Sequence, residues 1–117
     1  MSVRRRSVRS DARDARAHAP VFAALGDETR LLLVAKLSRG AQRSIAQLTE
    51  ASDLTRQAIT KHLRVLEDAG IVHSAREGRE HRFELHTQPL DQAKEYLDGV
   101  SAQWDEALER LRAFVEG

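Results

Sequence analysis

Five polar side chains recur at helical spacing in the stretch "LTRQAITKHLRVLEDAGIV", and they are Arg56, Gln57, Thr60, Lys61 and Arg64. At about 100° per residue they occupy one continuous arc of a helix, roughly 140° wide, and the opposite arc is apolar. Guanidinium, ammonium and amide groups donate hydrogen bonds that suit phosphate oxygens and the polar edges of bases. The pattern therefore predicts a helix with one face able to bind a polyanion.

Charge is distributed unevenly along the chain, although the formal net charge is only +1. Residues 1–19 carry six arginines against two aspartates, and residues 55–82 carry six basic against four acidic groups. Residues 90–117 have three basic and seven acidic groups. A polyanion would therefore meet the middle of the chain and be repelled by its end. A charged outer face is also what any solvated helix shows, so charge alone leaves both interpretations open.

Helix-start signals place this helix second in a two-helix arrangement. Ser44 and Gln47 form a capping box ahead of a short helix, and Thr55 can N-cap the longer one. Upstream, Asp27 can N-cap a helix that stops at Gly40. A short helix, a turn and a longer helix make a helix-turn-helix, whose second helix offers its N-terminal residues to base edges in the major groove.

The stretch after this helix, "IVHSAREGREHRFEL", predicts a β-hairpin with a glycine in its turn. A turn centred on residues 78–79 pairs Val72 with Leu85, the only register that gathers the apolar residues on one face. Ser74 then pairs with Phe83. The hairpin would form a wing whose basic side chains are Arg76, Arg79, His81 and Arg82.

The blocks "ALGDETRLLLVAKL", "SIAQLTEASDLTRQAITKHLRVLEDAGIV" and "REGREHRFEL" resemble the winged-helix repressors of the ArsR (arsenical-resistance repressor) family, from about residue 20 to the end. The resemblance implies a mostly α fold with a small β-hairpin, a winged helix-turn-helix that dimerises through its terminal helices. It also implies a homodimer that occludes a promoter and is released by a signal. Asp53 stands where relatives often have a turn glycine, and Asp tolerates that left-handed conformation.

Function is therefore expected to be sequence-specific binding of double-stranded DNA at an inverted-repeat operator, as a repressor. Gln57 and Lys61 are the expected base readers, because Gln suits adenine and Lys suits guanine. The full set of expected DNA contacts is Ser44, Thr55, Arg56, Gln57, Thr60, Lys61, Arg64, Arg76, Arg79 and Arg82. An alternative from another class is a winged-helix adaptor that binds proteins through the acidic last helix and does not bind duplex DNA.

A heptad pattern in the last segment, residues 89–116, predicts a dimerisation helix independently of the resemblance. Two interleaved apolar rows make an unbroken seam of four heptads, which is about 40 Å long and exceeds what so small a core can cover alone. Some of the seam must still pack on its own domain. The expected interface residues are Leu90, Ala93, Leu97, Val100, Trp104, Ala107, Leu111 and Phe114.

The first nineteen residues have almost no apolar periodicity, and like charge with low hydrophobicity predicts a disordered basic arm. Order is expected from Pro20, so that residues 20–117 form one winged domain. The arm is expected to be a solvated tail, with DNA tracking and an organellar transit peptide as the alternatives. Two aspartates by residue 14 weaken the transit-peptide interpretation.

Several other functions are disfavoured by the sequence. There is no cysteine, which excludes thiolate metal sites and disulfides and fits a cytoplasmic protein. No apolar run approaches the length of a membrane span, and no phosphate loop or nucleophile motif suggests an enzyme. No cofactor is expected. The sequence does not identify the effector, and a small molecule stays open as an alternative.

Histidines offer only weak metal-binding candidates. His62 lies in the apolar arc and is expected to be a hydrogen-bonded core residue. His73 faces Glu84 across the wing, with His86 near one end, an arrangement that could hold a metal weakly but is more often ordinary strand surface. The expectation is that no metal site is present.

Overall fold

The computed structural model describes residues 8–50 and 52–116, with side chains from residue 11 onward. Five helices and three short strands follow one another along this part of the chain. They are α1 (Val8–Leu25), α2 (Glu28–Leu37), β1 (Arg43–Ser44), α3 (Ile45–Thr49), α4 (Arg56–Asp68), β2 (Val72–Glu77), β3 (Glu80–Leu85) and α5 (Gln88–Glu116). The fold is a winged helix-turn-helix, as predicted, with α3 and α4 as its two helices and β2–β3 as its wing.

Side-chain caps begin the three helices on which the interface depends. The Asp27 carboxylate accepts a hydrogen bond from the Arg30 backbone N–H at 3.1 Å and so caps α2. Ser44 and Gln47 form the predicted capping box of α3. The Thr55 hydroxyl accepts from the Ala58 backbone N–H at 3.1 Å at the start of α4. Each cap satisfies a backbone donor that the first helical turn would leave unpaired.

Strand β1 pairs with the wing, so that the three strands form an antiparallel sheet in the order β1-β3-β2. Val72 pairs with Leu85 and Ser74 with Phe83, which confirms the predicted register. Gly78 has φ +61°, so the two-residue turn requires the left-handed conformation that glycine adopts without strain. The third strand, β1, was not predicted, since two residues are too few to show a strand period.

A single core lies between α2, α3, α4 and the inner face of the wing. Its fully buried side chains come from all four elements and are large and aliphatic, which at roughly 1.5–3 kcal/mol each makes them the main source of stability. They are Leu33, Leu37, Leu48, Ile59, Leu63, Leu66, Ile71 and Val72. The core holds the helix-turn-helix and the wing as one unit.

The first helix differs from the prediction of a disordered arm over residues 1–19. Helix α1 begins at Val8 and continues through Pro20 to Leu25. Alanines and arginines are strong helix formers, and the helix also packs on α5, where the His18 and Tyr96 rings stack with centroids 4.7 Å apart. The prediction of disorder rested on low hydrophobicity, and the composition of residues 1–19 does not show that α1 packs against α5. Residues 1–7 of the predicted arm lie outside the described residues.

No helix in the described part of the chain is long and apolar enough to cross a membrane.

Candidate nucleic-acid interface

One face of α4 carries the predicted polar set. Arg56, Gln57, Lys61 and Arg64 are exposed, whereas Ile59, Leu63 and Leu66 on the opposite face are buried. The helix is thus held by its apolar face and presents a continuous basic and amide face outward. Thr60 is half-buried on the same face, and its hydroxyl donates to the Arg56 carbonyl at 2.7 Å. That bond occupies the Thr60 hydroxyl hydrogen within the helix.

Ser44, one of the predicted DNA contacts, lies at the start of α3 and is buried. Only 4% of the residue is exposed, and its hydroxyl accepts from the Gln47 backbone N–H at 3.1 Å. The Ser44 backbone N–H in turn donates to the Gln47 amide oxygen at 2.8 Å. This hydroxyl therefore closes the start of α3, and a DNA contact by Ser44 stays a prediction. Thr55 remains exposed, although its hydroxyl is also engaged in its cap.

The wing tip and the beginnings of α3 and α4 enclose an open groove of about 350 Å³. Arg56 lines one side of this groove, and Arg79, Glu80 and His81 line the other. Three groups that can carry positive charge therefore converge from two elements, which is the chemistry that binds a phosphate. We call this groove, lined by Arg56, Arg79, Glu80 and His81, the wing groove. His81 was predicted to lie near the tip of the wing but was not included among the DNA contacts. It is two residues from Arg79, and residues at that spacing along a strand share one face, so the sequence did carry a signal for His81.

Arg82 is engaged with two carboxylates of the wing. Its guanidinium donates to Glu80 at 3.1 and 3.3 Å and lies 3.6 Å from Glu77. Arg82 is half-buried, whereas Arg76 and Arg79 are exposed and form no such ion pair with any described residue. Arg82 therefore neutralises acidic charge beside the wing groove, and its predicted DNA contact stays a prediction.

The acidic end of α4 has its own structural role. Glu67 accepts a hydrogen bond from the Ser74 hydroxyl at 2.6 Å and so ties the end of α4 to β2. Asp68 is exposed beside it. Both lie at the end of the helix away from Arg56 and Gln57, so the negative charge is separated from the first turn of the polar face.

His62 lies on the back of α4 at the corner between α1 and α2. Its Nδ1 is 3.1 Å from the Arg30 guanidinium and 3.7 Å from the Asp27 carboxylate. The residue is half-buried and hydrogen-bonded, in agreement with its predicted role. The hydrogen bond from the Arg30 backbone N–H lowers the pKa of Asp27, and the charge of the Arg30 side chain lowers it further to a smaller extent.

Helix α5 carries the predicted apolar seam, and its two halves have different environments. Ala93 is buried against the domain, while Leu90, Val100 and Ala107 are half-buried. The outer side chains are exposed to an extent unusual for large apolar groups. Their exposed fractions are 51% for Leu97, 64% for Trp104, 58% for Leu111 and 85% for Phe114, with Leu108 at 56% and Val115 at 74% beside them.

The wing histidines come together in part. The His73 and His86 rings lie 4.3 Å apart and are tilted by 43°, and His73 pairs with Glu84 across the two strands. Within the described ranges, no three His, Asp or Glu side chains converge as metal ligands would.

Comparison with known proteins identifies the family. The model of the bacterial regulatory protein arsR family matches residues 27–74, which run from the cap of α2 to the start of the wing. An uncharacterized HTH-type transcriptional regulator of Bacillus subtilis, YuzN, is 42% identical over 76 residues, covering 60% of this chain and 83% of the relative. A solved ArsR-like transcriptional regulator from Rhodococcus is 35% identical with a TM-score of 0.81, covering 90% of this chain and 95% of that one. The chain belongs to the ArsR family.

A second relative is named for a role in resistance. The arsenic resistance transcriptional regulator ArsR1 of Pseudomonas putida is 31% identical to this chain over 80 residues, which cover 68% of this chain and 62% of that protein. The ArsR family assignment confirms the predicted winged helix-turn-helix and makes this chain a DNA-binding transcriptional regulator rather than an enzyme.

Proposed function

We propose that this ArsR-family regulator is a homodimeric repressor that binds an inverted-repeat operator, with α4 of each protomer in a major groove. The observation that carries the proposal is the continuous exposed face of Arg56, Gln57, Lys61 and Arg64, held from behind by a buried apolar face. Such a helix can enter a major groove as a rigid unit.

Base readout is assigned to Gln57 and Lys61. They lie one turn apart near the middle of the exposed face, and both side chains extend into solvent. An amide can bond two positions of adenine, and an ammonium can reach the acceptors of guanine. This assignment places sequence discrimination in the first two turns of α4.

Phosphate contacts are assigned to arginines on either side of those readers. Arg56 and Arg79 both line the wing groove, so a phosphate bound there would lie between α4 and the wing. His81 lines the same groove and adds a donor that the sequence interpretation did not include. Arg64 and Arg76 are exposed and would contact the backbone at the edges of the interface.

Dimerisation is assigned to α5. Its exposed apolar side chains extend along one seam beyond the part that Ala93 anchors to the domain. A second copy offers the same seam, and a two-fold axis would bring the two together and also pair two α4 helices for two half-sites. The linkage of two half-sites raises the affinity for a repeated operator without a new contact.

The release signal is proposed not to be a metal held by thiolates, because the sequence has no cysteine. A small-molecule effector is compatible with this fold, and the surfaces described above do not define its chemistry.

Selection of binding sites from random duplex DNA tests the proposal. The protein should enrich one inverted repeat, and its affinity for that duplex and for a scrambled one should fall steeply with salt as counterions are released. A protein-interaction adaptor would enrich no sequence and would not bind duplex DNA, and that result would refute the proposed function.

A further inference from the structure

The Arg30 side chain connects three elements of the fold at the corner behind α4. Its Nε donates to the Ala24 carbonyl at 2.6 Å, and a second nitrogen lies 3.5 Å from the Ala23 carbonyl. The remaining guanidinium nitrogen is 3.1 Å from Nδ1 of His62. One residue of α2 thus binds the end of α1 and the back of α4 at the same time.

The chemistry of the two groups gives this bridge a direction. A guanidinium has donors only, so Nδ1 of His62 is the acceptor in this hydrogen bond. Asp27, whose cap lowers its pKa, lies 3.7 Å from the same ring nitrogen. The Arg30 side chain itself is oriented by the two carbonyls of α1 before it meets His62.

The bridge lies on a continuous path between the two helices that the proposed function uses. Helix α5 contacts α1 through Tyr96, whose ring stacks on His18 at 4.7 Å and lies 6.1 Å from the Phe22 ring. The last turn of α1 supplies the carbonyls that Arg30 binds. His62 follows Lys61 directly in α4 and points toward the domain rather than outward.

Rotation of α4 about its axis would move Gln57 and Lys61 relative to the base edges while leaving the helix itself intact. The buried apolar side chains of α4 hold it against the core, and a hydrogen bond of fixed geometry adds a directional restraint on its rotation. The Arg30–His62 hydrogen bond supplies such a directional restraint at the middle of α4.

We propose that Arg30 and His62 are positioning residues that set the orientation of α4 relative to α1 and α5, and hence its discrimination between DNA sequences. The proposal rests on the proposed function. It predicts that loss of the bridge lowers the preference for the operator over other duplexes, whereas loss of stability alone would reduce the binding of all duplexes equally.

The test uses the full-length chain, the inverted repeat selected by the wild type, and a scrambled duplex of equal length. Three variants are compared. His62→Leu removes the acceptor, His62→Asn keeps an acceptor near the position of Nδ1, and Arg30→Lys keeps the charge but cannot bridge α1 and α4 together. His73→Leu, on the outer face of the wing, is the matched control for the change of histidine to leucine. Thermal melting shows that each variant is folded at the assay temperature.

The expected result is a fall of about tenfold in the ratio of operator to scrambled affinity for His62→Leu and Arg30→Lys, the order of one hydrogen bond to a charged group. His62→Asn and His73→Leu should keep the wild-type ratio. Imidazole ¹⁵N chemical shifts should show an unprotonated, hydrogen-bonded Nδ1 at His62 that changes in Arg30→Lys.

Three results would overturn the inference. An unchanged ratio in His62→Leu, or equal weakening on both duplexes, would leave Arg30 and His62 with a structural role only. A wild-type Nδ1 that carries the proton would contradict the direction of the bond. A wild-type protein that prefers no duplex would refute the proposed function itself, and this role with it, so the two failures are distinguished by the wild-type titration.

Discussion

Replacement of Trp104 by glutamate is expected to dissociate the proposed dimer. Trp104 leaves 64% of its surface exposed on the seam of α5. A large aromatic side chain buries about 150–250 Å², so about 100–160 Å² remains for a partner to cover. At about 25 cal/mol per Å² that area contributes about 2.5–4 kcal/mol per protomer. A symmetric interface contains two such residues, so the dissociation constant should rise by at least about a thousandfold.

Sedimentation of wild type and Trp104→Glu over a range of protein concentrations measures this effect. The variant should sediment as a monomer where the wild type is a dimer, and its affinity for the operator should fall because two half-sites are no longer linked. Ala102→Glu introduces the same charge away from the seam and should keep the dimer, as Ala102 is exposed and off the heptad rows. An unchanged dimer mass for Trp104→Glu would remove α5 from the interface.

Three further outcomes are expected. The lowered pKa of Asp27 means that its ionised form stabilises the fold above the ordinary pKa of the group, and this contribution disappears as pH falls through the folded pKa. Asp27→Asn should therefore lose less unfolding free energy than wild type when urea titrations are repeated at lower pH. Equal losses in the two proteins would contradict the assignment. Arg82→Ala should weaken the binding of all duplexes, because the Glu80 carboxylate is then left without its partner charge. The double variant Arg82→Ala, Glu80→Gln should bind DNA as wild type does, and failure to restore binding would make Arg82 itself a phosphate contact. Near-stoichiometric zinc, cadmium or arsenite should leave DNA binding unchanged in a gel-shift titration, whereas release would point to His73 and His86.

Local signals in the sequence were enough to predict the helix starts around the helix-turn-helix and the register of the wing. The caps at Asp27, Ser44 and Thr55 act over three residues, so the chain shows both partners of each cap. The hairpin register follows from the alternation of apolar residues around a glycine turn. The polar face of α4 followed from helical spacing in the same way.

Contacts between distant segments were the part that sequence could not supply. The burial of Ser44, the wing groove between Arg56 and Arg79, and the bond between Arg30 and His62 all depend on how separate elements approach one another. The part of α1 before Pro20 was missed for the same reason, since its pairing with Tyr96 lies far along the chain. Spacing identifies the face of an element, but only packing identifies its partner.

The assignment of base readout to α4 and of phosphate binding to the wing is tested most directly by one titration. Wild type, Lys61→Ala and Arg79→Ala are titrated against the selected operator and a scrambled duplex at two salt concentrations. Lys61→Ala should weaken operator binding by about 1–3 kcal/mol with little effect on scrambled DNA, and should relax selection at one base pair of each half-site. Arg79→Ala should weaken both duplexes alike and reduce the salt slope by about one unit for each phosphate that is no longer neutralised. Equal weakening of both duplexes by Lys61→Ala would make Lys61 a phosphate contact and contradict readout through α4.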